Sequence, residues 1–187
     1  EQKNSCPGIV GVVADIIKVE KQYETAIEIA LGGSIQNIVT EDEQTAKDLI
    51  VYLKQNRYGR ATFLPLTSIT VRGSQVSTEV LKEKGVIGLG SSLVSADKKY
   101  EKLIRYLLGR IVVADHIDNA LALARKYKYS LRIVTLDGES LSPGGSLSGG
   151  AYKNSGNLLG RSRELDELSK KVEQIKGDID RLNQDQA

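Results

Sequence analysis

The tightest constraint on this chain lies in its last quarter. Between Arg161 and Ala187 the large apolar residues are Leu165, Leu168, Val172, Ile175, Ile179 and Leu182, separated by steps of 3, 4, 3, 4 and 3. This is a heptad pattern, with Leu165, Val172 and Ile179 at a and Leu168, Ile175 and Leu182 at d. So narrow a stripe fits one partner helix better than the broad face of a globular core. Glu164, Lys171, Lys176 and Asp178 flank the seam, placed to pair with charges across it. Gly177 falls at f, facing water, where it costs about 1 kcal/mol relative to Ala. Ser162 is the expected N-cap, with Glu164 and Asp166 near the positive end of the helix. The bland alternative is a terminal helix folded back on its own domain; three heptads without a slip favour the start of a coiled coil. The six residues before Pro7 cannot form the second helix. The pattern therefore predicts a partner helix encoded upstream of Glu1 or supplied by another chain. No Met occurs and no basic-then-apolar leader opens the chain, as expected of a piece of a longer polypeptide.

Composition narrows the rest. Of 187 residues, 40% are hydrophobic and 27% charged, a globular balance rather than a disordered one. The length suits one domain or two small lobes. The most apolar stretch, Gly8 to Ile17, is interrupted by Asp15 and is far shorter than the ~20 residues a membrane-spanning helix needs. Cys6 is the only cysteine, so no disulfide framework exists, which fits a reducing compartment. A net charge of +2 leaves nucleic-acid binding to local patches.

The body, Gly8 to Gly160, alternates helical and extended patterns. Helices are expected at 23–31, 42–55, 98–108 and 117–127, from apolar residues at helical spacing and from glycine stops at Gly32, Gly33 and Gly109. Strands are expected at 35–39, 61–64, 111–114 and 131–136. The stretch 8–19 is ambiguous between strand and helix, and Gly85 to Leu93 reads as irregular. The fold class is mixed α/β (α+β), with strand–helix–strand units near 35–64 and 111–136. The expected division is a first lobe at 7–64, an inter-lobe segment at 65–92, a second lobe at 93–160 and the start of a coiled coil at 161–187.

Catalytic raw material is thin. His116, the only histidine, sits between a strand and a helix and reads as a surface or capping residue. No His/Cys cluster offers a zinc site. Cys6 beside Pro7 is not an evident nucleophile. No Gly-Lys-Ser/Thr occurs, so no Walker A phosphate loop is present. Gly88-Leu-Gly90 lacks the third glycine of a dinucleotide fingerprint.

The most unusual stretch is Gly138 to Gly160, which holds 7 of the 18 glycines around Pro143-Gly-Gly-Ser-Leu-Ser-Gly-Gly150. Three readings compete. Gly/Ser composition suits a flexible linker. Glycine amides suit a phosphate cradle, although no Lys follows and no helix opens directly on them. Bare backbone also suits a strand pair that another chain segment approaches closely. Leu147 interrupts the glycines and a slack linker would uncouple the coil, which favours close approach.

The same residues carry a resemblance. Pro143 to Gly150, then Asn157-Leu-Leu-Gly-Arg-Ser-Arg-Glu-Leu165 entering a coiled coil, resembles the hinge domain of structural maintenance of chromosomes (SMC) proteins, bacterial members above all. Gly8-Ile-Val-Gly-Val-Val-Ala-Asp15, Ala30-Leu-Gly-Gly33, Gly59-Arg-Ala-Thr-Phe-Leu-Pro-Leu66 and Arg132-Ile-Val-Thr-Leu-Asp-Gly138 extend the likeness over about residues 7 to 168. The resemblance implies a cytoplasmic, nucleoid-associated protein with no membrane partner and no catalytic site or cofactor in this stretch. ATP and Mg²⁺ would be bound only by distant head domains. It implies a homodimer in which the first lobe of one chain meets the second lobe of the other, with Gly144, Gly145, Gly149 and Gly150 at the interface. It also implies modest DNA contact near the coil junction, for which Lys153, Arg161 and Arg163 are the candidates. Lys98, Lys99, Lys102 and Arg105 form a second basic cluster. A stand-alone DNA-binding domain and a nucleotide-using enzyme are the alternatives. Tight DNA binding by a monomer would select the first, and nucleotide-dependent thermal stabilisation the second.

Overall fold

A computed structural model describes residues 6–151 and 157–185. The chain runs through one order of elements twice. The first pass is β1 (Ile9–Val12), α1 (Val13–Ile16), β2 (Lys18–Val19), a 3₁₀ turn at Lys21–Tyr23, α2 (Glu24–Leu31), β3 (Ile38–Thr40), α3 (Glu43–Gln55) and β4 (Phe63–Pro65). The second is β5 (Val86–Leu89), a 3₁₀ turn at Gly90–Ser92, β6 (Val94–Ser95), another at Lys98–Tyr100, α4 (Glu101–Leu108), β7 (Ile111–Ala114), α5 (Ile117–Lys126) and β8 (Arg132–Thr135). The sequence echoes itself accordingly. Gly8-Ile-Val-Gly-Val12 answers Gly85-Val-Ile-Gly-Leu89, and Lys21-Gln-Tyr-Glu24 answers Lys98-Lys-Tyr-Glu101.

Pairing repeats as well. β1 is antiparallel to β3, which is parallel to β4. β5 is antiparallel to β7, which is parallel to β8. Both outer strands carry a register shift, at Ile9/Gly11 and at Val86/Gly88. The equivalent strands β2 and β6 pair with each other, antiparallel, where the halves meet.

Burial explains the order. β7 lies between β5 and β8, and all four of its residues are buried, so it reads as an unbroken apolar run. α2 turns Ala26, Ile27, Ala30 and Leu31 inward, and α4 turns Leu103, Ile104 and Leu108 inward. One core joins the halves. It takes Val13, Ile17, Ile27, Val39 and Leu64 from the first, Leu103, Leu108, Val113 and Val134 from the second, and Leu159 beyond them. A smaller core of Val80, Val112, Ala120, Leu123, Ile133 and Leu141 lies under α5. α3 starts at Asp42, whose carboxylate accepts the Thr45 N–H at 2.8 Å.

The repeat breaks after β8. There β9 (Ser140–Leu141) and β10 (Leu147–Ser148) continue the second sheet into the order β10-β9-β8-β7-β5, whereas the first sheet stops at β1-β3-β4. α6 (Leu158–Asp185) follows.

Several boundaries differ from the sequence expectation. The strand expected at 35–39 begins only at Ile38, because Gly32 at φ +51° turns the chain into a 3₁₀ segment through Gln36. The strand expected at 61–64 runs into Pro65, whose missing N–H is tolerated at a sheet edge. Gly85 to Leu93, expected to be irregular, contains β5, with Gly88 beside the bulge. The segment 65–92 thus contributes a strand to the second sheet. α6 starts at Leu158, ahead of the expected 161.

Candidate functional site

The glycine-rich stretch folds into the β9–β10 hairpin. Gly145 N–H donates to the Ser142 carbonyl at 3.0 Å, closing a turn with Pro143 in its second place and Gly144, at φ +91°, in its third, the pattern of a type II turn. Gly144 N–H also donates to the Tyr129 carbonyl at 2.9 Å, tying the turn to the end of α5. Gly145 and Gly150 have φ of +99° and +138°, and a Cβ on Gly149 would press on the Glu139 side chain at 3.0 Å. The single chain therefore already favours glycine at Gly144, Gly145 and Gly150 through their positive φ, while Gly149 is only crowded by a side chain. Thr135 and Glu139 stitch the hairpin base, the threonine hydroxyl donating to the carboxylate.

Two sheet margins are bare. Ser142 N–H donates to the Ser146 carbonyl, and Leu147 and Ser148 stand opposite Leu141 and Ser140. Because antiparallel pairs alternate between bonded and non-bonded, the Leu147 N–H and C=O point away from β9. Its side chain is 55% exposed. On the first sheet, Ile38 N–H donates to the Thr62 carbonyl and Leu66 N–H to the Thr40 carbonyl. The backbone groups of Phe63 therefore face outward from β4, while the outward Pro65 carbonyl accepts the Ser68 and Ile69 N–H groups at 3.2 and 3.1 Å. Ile50, Val51 and Tyr58, close by in sequence, are exposed.

α6 is anchored at its root. Asn157, not Ser162, is its cap: Asn157 Oδ1 accepts the Gly160 N–H at 2.7 Å, while Ser162 lies inside the helix. Glu24 and Glu28 of α2 are buried, at 5% and 8% exposure. Glu24 accepts from Arg163 Nε at 2.6 Å and Asn157 Nδ2 at 3.2 Å, and Glu28 accepts the Leu158 N–H at 2.6 Å. Arg163 also donates to Glu167 at 2.8 Å. Hydrogen bonds donated to Glu24 and then to Glu167 hold the guanidinium pKa above its ordinary value. Arg163, expected as a DNA contact, is thus committed to a carboxylate pair. The signal was in the sequence: acids four apart on an otherwise apolar helix need a cation. Arg161 is exposed, and Lys153 lies outside the described residues. Lys18 pairs with Asp166 at 2.8 Å. The seam residues Leu165, Leu168, Val172, Ile175, Ile179 and Leu182 are 50–65% exposed in the single chain.

His116 stands at the N-cap position of α5, where the Asp115 carboxylate accepts the His116 N–H at 2.6 Å and Asn119 Nδ2 at 2.9 Å. Asn119 first, then burial working against the His116 N–H, leave the Asp115 carboxyl below its usual range. Among the described residues no group of His, Cys, Asp and Glu is placed to hold a metal ion, and no helix is long and apolar enough to cross a membrane.

The comparisons with known proteins agree with this architecture. The family described as "SMC proteins Flexible Hinge Domain" matches residues 6–124. The chain is 45% identical over 176 residues to Chromosome partition protein Smc of Bacillus subtilis (strain 168), covering 92% of this chain and 15% of that protein. It is 38% identical over 169 residues to the protein of the same name from Methanocaldococcus jannaschii, covering 90% of this chain and 14% of that one. An asymmetric dimer of the Geobacillus stearothermophilus SMC hinge domain superposes with a TM-score of 0.85 at 42% identity, over 98% of this chain and 74% of that one. The Pyrococcus furiosus SMC hinge domain gives 0.67 at 34% identity, over 83% and 79%. The chain spans 15% or less of the two chromosome partition proteins it was compared with. By the profile match, the identities and the shared architecture, this chain belongs to the SMC flexible hinge domain family.

Proposed function

We propose that the chain is the homodimerisation hinge of a chromosome partition SMC protein, a joint between two long antiparallel coiled-coil arms rather than a catalyst. One observation carries this. The second half covers its β8 edge with a hairpin, while the equivalent β4 edge of the first half is bare and β10 presents an unpaired Leu147 backbone. A β10 edge laid on a partner's β4 edge satisfies both, and the reciprocal contact closes a two-fold ring. The exposed α6 seam takes a helix encoded upstream, completing the arm. Arg161, with Lys153, supplies a modest DNA contact at the coil junction. ATP and Mg²⁺ belong to head domains elsewhere in the full protein.

Sedimentation of the fragment tests the joint. The wild type is expected at twice its 20.4 kDa chain mass at micromolar concentration. Leu147→Asp touches no buried group and should yield a folded monomer with an unchanged circular dichroism spectrum. A Leu147→Asp variant that stays dimeric would refute the strand-edge assignment. Arg161→Ala should lower the salt slope of DNA binding by about 1.

A further inference from the structure

The two strands of the hairpin repeat one motif. β9 and its exit read Ser140-Leu-Ser-Pro-Gly-Gly145, and β10 and its exit read Ser146-Leu-Ser-Gly-Gly150. β9 is paired on both sides, with β8 and with β10. β10 carries the same residues and is paired on one side only. The helix ends beside the two sheets repeat as well. α3 closes on Arg57 at φ +55°, with Tyr58 N–H donating to the Leu53 carbonyl at 2.9 Å. α5 closes on Lys128 at φ +53°, with Tyr129 N–H donating to the Ala124 carbonyl at 2.7 Å. Each end puts a left-handed basic residue where glycine is usual and follows it with a tyrosine.

Tyr129 has a use inside its own half. Its ring lies over the first hairpin exit, where a Cβ on Gly145 would stand 3.6 Å from its Cδ1. The first half has no hairpin, and so no glycine pair for Tyr58. Tyr52 braces the Tyr58 ring at 5.9 Å between centroids, and Tyr58 remains 59% exposed. The second hairpin exit shows the converse: nothing lies within 4 Å of where a Cβ on Gly150 would stand. Among the described residues outside α6, large exposed apolar side chains gather at these two places. Ile50, Val51 and Tyr58 lie around the end of α3, and Tyr129 and Leu147 at the hairpin, with Val71 and Tyr106 elsewhere.

We infer that β10 repeats on the β4 of a second copy what β9 does on β8 in its own chain, and that Tyr58 of that copy closes over Gly150 as Tyr129 closes over Gly145. Resting on the strand-edge dimer proposed above, this contact has a fixed direction and register. β9 runs antiparallel to β8 with Leu141 opposite Ile133. Thr135 N–H donates to the Glu139 carbonyl, so Leu141 and Ile133, two places on, form the next bonded pair. Ile38 and Val112 hold equivalent places, opposite Val12 and Leu89, and they neighbour Phe63 and Ile133. Phe63 therefore stands on β4 where Ile133 stands on β8. Leu147 of one copy then faces Phe63 of the other as a bonded pair, and both already turn backbone N–H and C=O outward. Antiparallel entry carries the chain from Leu147 toward the start of β4, which brings Gly150 to the Tyr58 side. Parallel entry would bring Ser146 there instead.

Cross-linking in a Cys6→Ser background tests the direction. A short bismaleimide should join Tyr58→Cys to Ala151→Cys between copies, and should not join Tyr58→Cys to Ser146→Cys. Sedimentation across a dilution series tests the ring. Tyr58→Ala should raise the dimer dissociation constant at least about tenfold, because the two-fold axis removes two rings at once. Tyr58→Phe should stay within about twofold of wild type, because the ring and not the hydroxyl makes the contact. Circular dichroism of each variant should match wild type, since Tyr58 is exposed in the single chain. A link from Ser146, a link from neither position, or a Tyr58→Ala dimer as strong as wild type would overturn the contact. If Leu147→Asp still separates the chains in that case, the strand-edge dimer stands without the tyrosine. If Leu147→Asp leaves them joined, both fall.

Discussion

The two halves of the chain share a scaffold and differ at its margins. Both fold the same succession of strands and helices, with the same bulge in the outer strand, and both feed one core. In the second half the last strand is covered by the β9–β10 hairpin; in the first it is uncovered. In the first half the helix after β2 holds two buried acids under α6; in the second its counterpart presents basic residues to solvent. Shared positions answer to packing, while the unshared ones collect the bare edges, the arm root and the basic side of α4.

The largest expected effect tests whether the halves are one folding unit. Ile133→Ala in β8 and Leu64→Ala in β4 each empty a buried site, fully so at Ile133, and each should cost about 3 kcal/mol. Urea unfolding should remain a single transition in both. Two separated transitions would show that the common core does not couple the lobes. Glu24→Ala and Glu101→Ala sharpen the contrast between α2 and α4. The first removes acceptors from Arg163 and Asn157 and should cost about 2 kcal/mol. The second changes an exposed residue with no ion pair among the described residues and should stay within about 0.5 kcal/mol. Equal losses would mean that the arm root is not what holds α2.

The smallest effect is on pH. The Thr45 N–H beside Asp42 lowers that carboxyl, and hydrogen bonds from Lys126 and then Tyr127 lower Glu83. A carboxyl depressed in the folded state contributes stability that is present above its unfolded value and is lost as pH falls through the folded one. Stability should therefore be flat near neutrality and decline below about pH 4. Asp42→Ala should flatten part of that decline, as read from urea midpoints across an acid series, and a decline as steep as wild type would remove Asp42 from the account.

Much of the scaffold was legible because its periodicities are long. The helices at 43–55 and 117–126 and the strand at 111–114 stand close to where apolar spacing put them. The two-residue strands β2, β6, β9 and β10 are too short to carry a period of two. β5 hid behind Gly85, Gly88 and Gly90, which mark its bulge and ends rather than disorder. The pairing of Arg163 with Glu24 was legible only from the α2 side, in acids four apart on a buried helix, because a cation near a helix start by itself looks the same whether it faces solvent or a carboxylate. The internal repeat was visible in Lys-x-Tyr-Glu and Gly-x-x-Gly, yet only the paired β2 and β6 give those short echoes meaning.

The anchored root of α6 has a mechanical corollary. A helix of 28 residues is about 42 Å long, so a tilt of roughly 10° at its base sweeps its tip through about 7 Å. Torque on that lever acts on the carboxylates of α2. The Ala30 carbonyl at the end of α2 accepts from Arg132 of β8 at 3.0 Å, and a Cβ on Gly138, in the turn leading to β9, would lie 3.1 Å from Thr25. Bending at the arm is thus delivered, through one short helix, to the strand that carries the hairpin.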